Sequence, residues 1–406
     1  MSIFLTGIRL NKRGLMVAAI PCFPFLAWYY IFSNEVLKFI VDMSTKTFLI
    51  YNMSFNFLVS FTLILSSSLI RRIDKPSVIY AWSILSSIGM IFIVLAPTDT
   101  FKLAVYFLLG AVFGVGLLAF FTYFWDLTVP QERGRVAGLI GFVFLPILPL
   151  VSALARNLDF FGTAVLCIIL NLWTLVIKPL NPEKTTLLIT KKASEESNPE
   201  KRIVLLYSIP WMVSSLINAT LAKVISIHIS QYLLSQMLFG VLQVIGGGLG
   251  AIIGGVIADF FGRRPSLTFG LTLFGISSAI SGLANRYEVF YLIGIGTGLT
   301  WGILSVLYLF VILGDLADVE TCARRYSIGL ATFYLTSGLG AFLSPLLLEI
   351  PLSVASSISS LLIFLSNIPL ILAPETLPLD FREKIRLKFY IYLVKRKKPK
   401  HWSNHG

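Results

Sequence analysis

The run most able to do chemistry is Gly255-Val-Ile-Ala-Asp259-Phe-Phe-Gly262-Arg263-Arg264. It closes a long apolar stretch, so Asp259 is a carboxylate at the border of a hydrophobic medium, where an unpaired charge is expensive. It must therefore meet an arginine or a helix N-terminus. Gly255 lets a second helix approach closely, Gly262 permits a tight reversal, and Arg263 and Arg264 supply countercharge. A plain basic hairpin accounts for the arginines but not for the aspartate or the glycine spacing. Other reactive groups are sparse. Cys22, Cys167 and Cys322 are far apart in apolar or interfacial settings, and the histidines are His228, His401 and His405. With no CxxC or HExxH, neither a disulfide framework, a metal site nor a cofactor is expected. Glycines at 246–250, 254–255, 294–298 and 302 lie inside apolar runs with no preceding strand, which points to helix packing and away from a nucleotide loop.

The elements that carry these residues are apolar. Of 406 residues, 56% are hydrophobic and 13% charged, against about 25% charged in soluble domains. That excludes an ordinary soluble enzyme, and it excludes a disordered chain, which would be rich in charge. A membrane helix needs about 20 apolar residues. The pattern recurs twelve times, over 14–32, 48–70, 77–96, 101–125, 136–155, 160–177, 203–228, 235–258, 266–284, 288–313, 327–348 and 352–373. The alternating dyads of a membrane barrel are absent. The first span follows a basic stretch with no small-residue cleavage site behind it, so it reads as a retained helix. Every carboxylate falls at a span border or in a loop. Of the 33 Lys and Arg residues, 27 lie on one set of alternate loops and in a basic C-terminal tail. The positive-inside rule then places both termini in the cytoplasm. Basic residues spread over many short loops also remove the nucleic-acid reading of the +13 net charge. The tail meets anionic lipid of the inner leaflet or serves as a topology anchor only.

The chain reads as duplicated. Sliding the second half back by 189 residues brings Lys201 and Arg202 onto Lys12 and Arg13, and Pro210 onto Pro21. Arg264-Pro265-Ser266 falls on Lys75-Pro76-Ser77, Asp315-Leu316 on Asp126-Leu127, and Arg324 on Arg135. The expected organisation is a six-helix bundle over 1–177, a cytoplasmic linker over 178–202, a second bundle over 203–376 and a basic tail over 377–406. Duplicated halves with a midplane site between them are a common build of secondary transporters.

At the Asp259 run the chain resembles the major facilitator superfamily, whose loop signature is Gly-x-x-x-Asp-(Arg/Lys)-x-Gly-(Arg/Lys)-(Arg/Lys). Phe260 stands where the first basic residue is usual. Asp126-(six residues)-Arg133-Gly134 and Asp318-(six residues)-Arg325, with Asp315 nearby, are similar to loops of the sugar-porter and organic-ion-porter branches. Pro182-Glu183 and Pro374-Glu375-Thr376 resemble their motifs after spans six and twelve. The first half departs from the signature: Ser66 stands for the glycine and Ile70 for the aspartate. The resemblance implies an all-α polytopic protein of about twelve helices in two pseudo-symmetric bundles. It also implies a cytoplasmic gating latch made of Gly255, Asp259, Gly262, Arg263, Arg264, Asp126, Arg133, Arg135, Asp315, Asp318, Arg325 and Glu375.

By family geometry, spans one, four, seven and ten line a cavity. Trp28, Phe113, Ser214, Asn218 and Trp301 lie near their middles, and Asn56, Gln243 and Tyr334 join from spans two, eight and eleven. The same polar groups also suit helix-to-helix hydrogen bonds. His228 and Lys223 lie towards the outer end of span seven, Lys223 as a snorkelling side chain or a gate. The function expected is a monomeric plasma-membrane carrier of a small organic solute, neutral or weakly polar, sugar-like or drug-like, working by alternating access. Two alternatives stand beside it: a transporter-like receptor or structural protein, suggested by the degraded first-half loop, and a membrane enzyme. The latter would need a convergent acid, base or metal cluster that the sequence lacks.

Overall fold

In lipid every backbone N–H and C=O must bond internally, and a continuous helix does this within one segment. The computed structural model is helical through most of the residues it describes, which are 12–41, 46–176, 201–230, 233–283, 287–347 and 349–377. In chain order the helices are α1 (Gly14–Ile40), α2 (Lys46–Ile70), α3 (Lys75–Leu95), α4 (Asp99–Leu127), α5 (Pro130–Arg156) and α6 (Phe160–Val176). The second set is α7 (Lys201–Ser230), α8 (Leu233–Phe261), α9 (Arg263–Gly282), α10 (Glu288–Asp315), α11 (Cys322–Leu347) and α12 (Leu352–Leu372). Ten of them carry a stretch long and apolar enough to cross a bilayer; α6 is shorter, and α9 is more polar. Most of 178–202 and of 377–406 lies outside the described residues, as do Pro182-Glu183, His401, His405 and the side chains of Lys223 and His228.

Two seams join the sets. One packs α2 against α11, and the other packs α5 against α8 with the end of α10 beside it. The most extensive pairing, α8 on α10, follows from the glycines: a Cβ at Gly254 would press on Ile303, and Gly246, Gly250, Gly298 and Gly302 lie against the facing backbone. The glycine runs thus serve packing.

α1 differs from the sequence reading. It does not stop near residue 32 but continues through a π-helical turn, Phe32–Val36, to Ile40. The wide turn loosens the backbone ladder, and Asn52 Nδ2 of α2 donates to the Ser33 carbonyl at 3.0 Å. Glu35 is buried in this turn, with Lys38 at 2.6 Å and Arg156 of α5 at 3.3 Å. The expectation that every carboxylate sits at a border or in a loop is corrected here: local countercharge lets a helix carry Glu35. α10 has a second π-helical segment, Val306–Ile312, where the Tyr326 hydroxyl donates to the Phe310 carbonyl at 2.9 Å. Pro21 sits at a break in α1, whereas Pro210 is enclosed within α7.

Candidate functional site

The ends of α4, α5, α8, α9, α10 and α12 meet in a buried ion cluster. α5 begins at Pro130, whose missing N–H suits a first helical turn. Its next residues, Arg133, Gly134 and Arg135, are buried against α8. The absence of a side chain at Gly134 matters, because a Cβ there would meet Asp259 Oδ1 and the Gly255 carbonyl. Gly255 reciprocates, lying on the Gly134 backbone. This close approach brings the Asp259 carboxylate to the N-terminal turn of α5.

Asp259 is fully buried and well supplied with donors. It accepts from the Gly134 N–H at 3.0 Å, the Arg135 N–H at 2.8 Å, Arg135 Nε at 3.0 Å and Arg263 Nη1 at 2.8 Å. Asp315 accepts from Arg133 Nη1 at 2.6 Å and Arg263 Nε at 2.8 Å. Arg263 is thus shared by both carboxylates, and it also donates to the Ala258 and Pro130 carbonyls. Arg133 is fixed by Thr128, whose hydroxyl and carbonyl accept from its Nε and Nη2. A buried charge is tolerated only with countercharge and hydrogen bonds together, and both are present here. Four residue pairs in the cluster cross from the first set of helices to the second: Arg133–Asp315, Arg135–Asp259, the Gly134 N–H to Asp259, and Arg263 to the Pro130 carbonyl.

Gly262 makes the turn from α8 into α9 with φ +119°, a conformation suited to glycine. A Cβ there would also strike Glu375 Oε2. Glu375, just beyond α12, receives the Arg263 N–H at 2.8 Å and the Arg264 N–H at 3.2 Å, so a carboxylate covers the N-terminus of α9. Trp125 Nε1 donates to the Gly314 carbonyl at 2.8 Å. These two residues lie one repeat of 189 apart, so equivalent positions touch where the two sets of helices meet.

Of the twelve residues expected at the latch, the cluster gathers Gly255, Asp259, Gly262, Arg263, Arg264, Arg133, Arg135, Asp315 and Glu375. Asp126 is bonded instead to Lys75 of its own half at 2.5 Å. Asp318 holds its own turn, accepting from the Glu320 and Thr321 N–H groups and the Thr321 hydroxyl. Arg325 is half-buried on α11. The departure at Phe260 has a partner that was not foreseen, since the Arg135 guanidinium lies 5.3 Å from its ring centroid, a cation–π contact. Pro130 and Thr128 also escaped the sequence reading. They act through backbone carbonyls or a single hydroxyl, which leave no charge pattern to find.

The residues expected to line a cavity are spread through a string of rings. Trp28 and Phe113 are buried and stack at 5.2 Å. Tyr29 meets Tyr334 edge-on at 4.8 Å, and its hydroxyl donates to Asn56 Oδ1 at 2.6 Å. Ser214 is buried and bonds back to the Trp211 carbonyl at 3.1 Å. Asn218, Gln243 and Trp301 are half-buried. Tyr29, Phe333 and Trp211 were not among the expected residues. The three cysteines are free and buried, and no cluster of metal-ligating side chains occurs among the described residues.

Residues 203–339 match the family described as Sugar (and other) transporter. A lincomycin resistance protein of Streptomyces lincolnensis is 35% identical over 151 residues, a match spanning 36% of this chain and 28% of that protein's length. Three solved structures share the fold. The human organic anion transporter MFSD10 (TETRAN) superposes with a TM-score of 0.67 at 13% identity, covering 88% of this chain and 97% of that one. A bacterial homologue of the iron transporter ferroportin, in an outward-facing state with soaked iron, gives 0.69 at 12% identity, with coverage of 90% and 99%. The proton:xylose symporter XylE, bound to 6-bromo-6-deoxy-D-glucose, gives 0.68 at 14% identity, with coverage of 90% and 96%. At such identities these structures bear on the fold alone. This chain thus has the multi-helix fold of these three transporter structures, and residues 203–339 are similar to the family described as Sugar (and other) transporter.

Proposed function

We propose that the protein is a carrier that moves a small organic solute across the plasma membrane by alternating access, with the buried Asp259–Arg135–Arg263–Asp315 cluster as its cytoplasmic latch. The observation that carries this reading is the placement of the ions: both buried carboxylates of the cluster bridge the two sets of helices, at the same end of the bundle. Such a cluster favours one arrangement strongly once formed, and is lost as a unit when the ends part. By the positive-inside rule the latch end, with its basic loops, faces the cytoplasm.

The solute is neutral or weakly polar and drug-like or sugar-like. A partial match to an antibiotic-resistance protein and a family match to sugar transporters support that range. Glu35, the one carboxylate buried in the outer part of α1, is already occupied by Lys38 and Arg156. The test is counterflow in proteoliposomes over a panel of neutral, cationic and anionic solutes. Saturable exchange of a neutral organic solute is the expected result. A folded protein that exchanges none of them contradicts the carrier reading and favours the receptor-like alternative that Ser66 and Ile70 suggest.

A further inference from the structure

The latch ends of α4 and α10 meet where the duplication faces itself. Phe121 of α4 and Phe310 of α10 are one repeat of 189 apart, and their ring centroids lie 4.8 Å from each other. One helical turn on, Trp125 and Gly314 are again a repeat apart and again touch, the indole Nε1 donating to the Gly314 carbonyl at 2.8 Å. Two phenylalanines give the junction apolar area without direction. A tryptophan facing a glycine differs in kind. The glycine presents its carbonyl with no side chain before it, and the tryptophan supplies a ring that fills the space and an N–H aimed at that carbonyl.

The fit is close on every side. A Cβ at Gly314 would come within 3.0 Å of Trp125 Cδ1, Arg133 Nη1 and the Tyr326 hydroxyl. All four of these residues are buried. The next residue along α10 is Asp315, whose carboxylate reaches Arg133 Nη1 at 2.6 Å and Arg263 Nε at 2.8 Å. Hydrogen bonds weaken steeply once distance or angle departs from a narrow range. A side chain as short as aspartate can serve two arginines at once only if its backbone is held in place. Arg133, the other member of the pair, has its guanidinium carbon 6.0 Å from the Trp125 ring centroid. Trp125 therefore touches both ends of the Arg133–Asp315 pair. It holds the backbone that carries the carboxylate, and its ring lies beside the cation.

We propose that Trp125 is a positioning residue of the latch: its indole N–H on the Gly314 carbonyl sets the place of Asp315, so that one carboxylate bridges Arg133 of the first half and Arg263 of the second. This rests on the latch reading of the ion cluster and goes beyond it, because it assigns the alignment of the ions to an uncharged residue outside them. Gly314 is the counterpart, since any side chain there drives apart the three groups that meet on it.

The experiment uses the full-length protein in proteoliposomes, in a background lacking the three native cysteines. Ala258→Cys, at a buried position on the latch end of α8, is the reporter, and its rate of maleimide labelling reads how often the latch opens. β-(3-Benzothienyl)alanine in place of Trp125 keeps the two-ring shape and removes the N–H. It should accelerate labelling about tenfold, the order expected for one lost buried hydrogen bond. Asp315→Asn should accelerate labelling further than that. In the protein carrying both changes, the acceleration should fall at least threefold short of the product of the single effects, because part of the action of Trp125 runs through that carboxylate. A cooperative thermal melt for each variant separates latch opening from unfolding. A native labelling rate with the benzothienyl residue overturns the role of the N–H. Effects that multiply in full make Trp125 an independent packing contact and overturn its positioning role. If Asp315→Asn itself leaves the rate unchanged, the latch reading falls, and the positioning role falls with it.

Discussion

The two seams that join the halves are built on opposite principles. Along α5 and α8, small residues bring backbones together: Gly138 and Gly141 face Ala251, and Gly134 faces Gly255. This closeness delivers the buried ions Asp259, Arg135 and Arg263 to one another. Along α2 and α11 the positions equivalent to Gly255 and Asp259 are Ser66 and Ile70, both buried, and Ile70 contributes an apolar side chain to that seam. A polar link across it is a hydroxyl, Ser60 Oγ donating to the Ala331 carbonyl at 3.0 Å. The charges of that half, Lys75 and Asp126, pair with each other on one side. A duplicated plan has thus kept its ionic form at one seam and become apolar at the other. Ions act over a narrow range of geometry, while apolar contact weakens gradually as surfaces slide. On the proposed rocking motion, α5–α8 is the switch and α2–α11 the surface on which the halves stay in touch.

This contrast ranks the effects of substitution. The largest belongs to Asp259→Asn. Removing one partner of a buried ion pair costs about 3–5 kcal/mol, and here both arginines lose countercharge. The closed arrangement should fall in population by about a hundredfold or more. Maleimide labelling of a cysteine placed on the latch end of α10, in a background lacking the three native cysteines, should accelerate accordingly, and transport should slow. Unchanged labelling and transport would remove the latch from the account. Ser60→Ala comes next. It deletes one hydrogen bond across the apolar seam, worth about 1 kcal/mol, so the labelling rate should shift by less than tenfold. Lys75→Met is the smallest. Its pair with Asp126 is about one-fifth exposed on each side and worth about 0.2–1 kcal/mol. Because both partners ride on one half, the melting temperature should dip slightly and the labelling rate should stay as it was. A Lys75→Met effect equal to that of Asp259→Asn would erase the distinction between the seams.

Much of this arrangement is legible in the amino-acid order, because lipid imposes simple rules. The apolar runs, their length and the charges between them mark the helices closely, and one offset of 189 relates Asp126 to Asp315 and Lys75 to Arg264. The pairing of Asp259 could be read from its run, since a carboxylate in that setting must be paired; the latch role came only with the resemblance. Three features were not legible. The continuation of α1 past Ser33-Asn34-Glu35 looks like a loop along the chain, and only the approach of Arg156 and Asn52 shows why a helix persists. Asp318 carries the same spacing to an arginine as Asp126, yet its carboxylate is spent on its own turn. Asp126 in turn pairs with Lys75, so that spacing marks neither aspartate as a member of the cluster. The string of rings was half visible: Trp301 and Tyr334 stand near span centres, whereas the place of Phe333 and Tyr29 depends on how helices from both halves meet.

The most direct test of the account is the distance between spin labels on the latch ends of α5 and α8, measured by pulsed electron paramagnetic resonance in lipid nanodiscs with and without a transported solute. The account predicts two populations, a short one that dominates in the unaltered protein and a longer one that dominates in Asp259→Asn, with solute shifting the balance between them. A single distance, unmoved by solute or by the loss of the Asp259 charge, would contradict it.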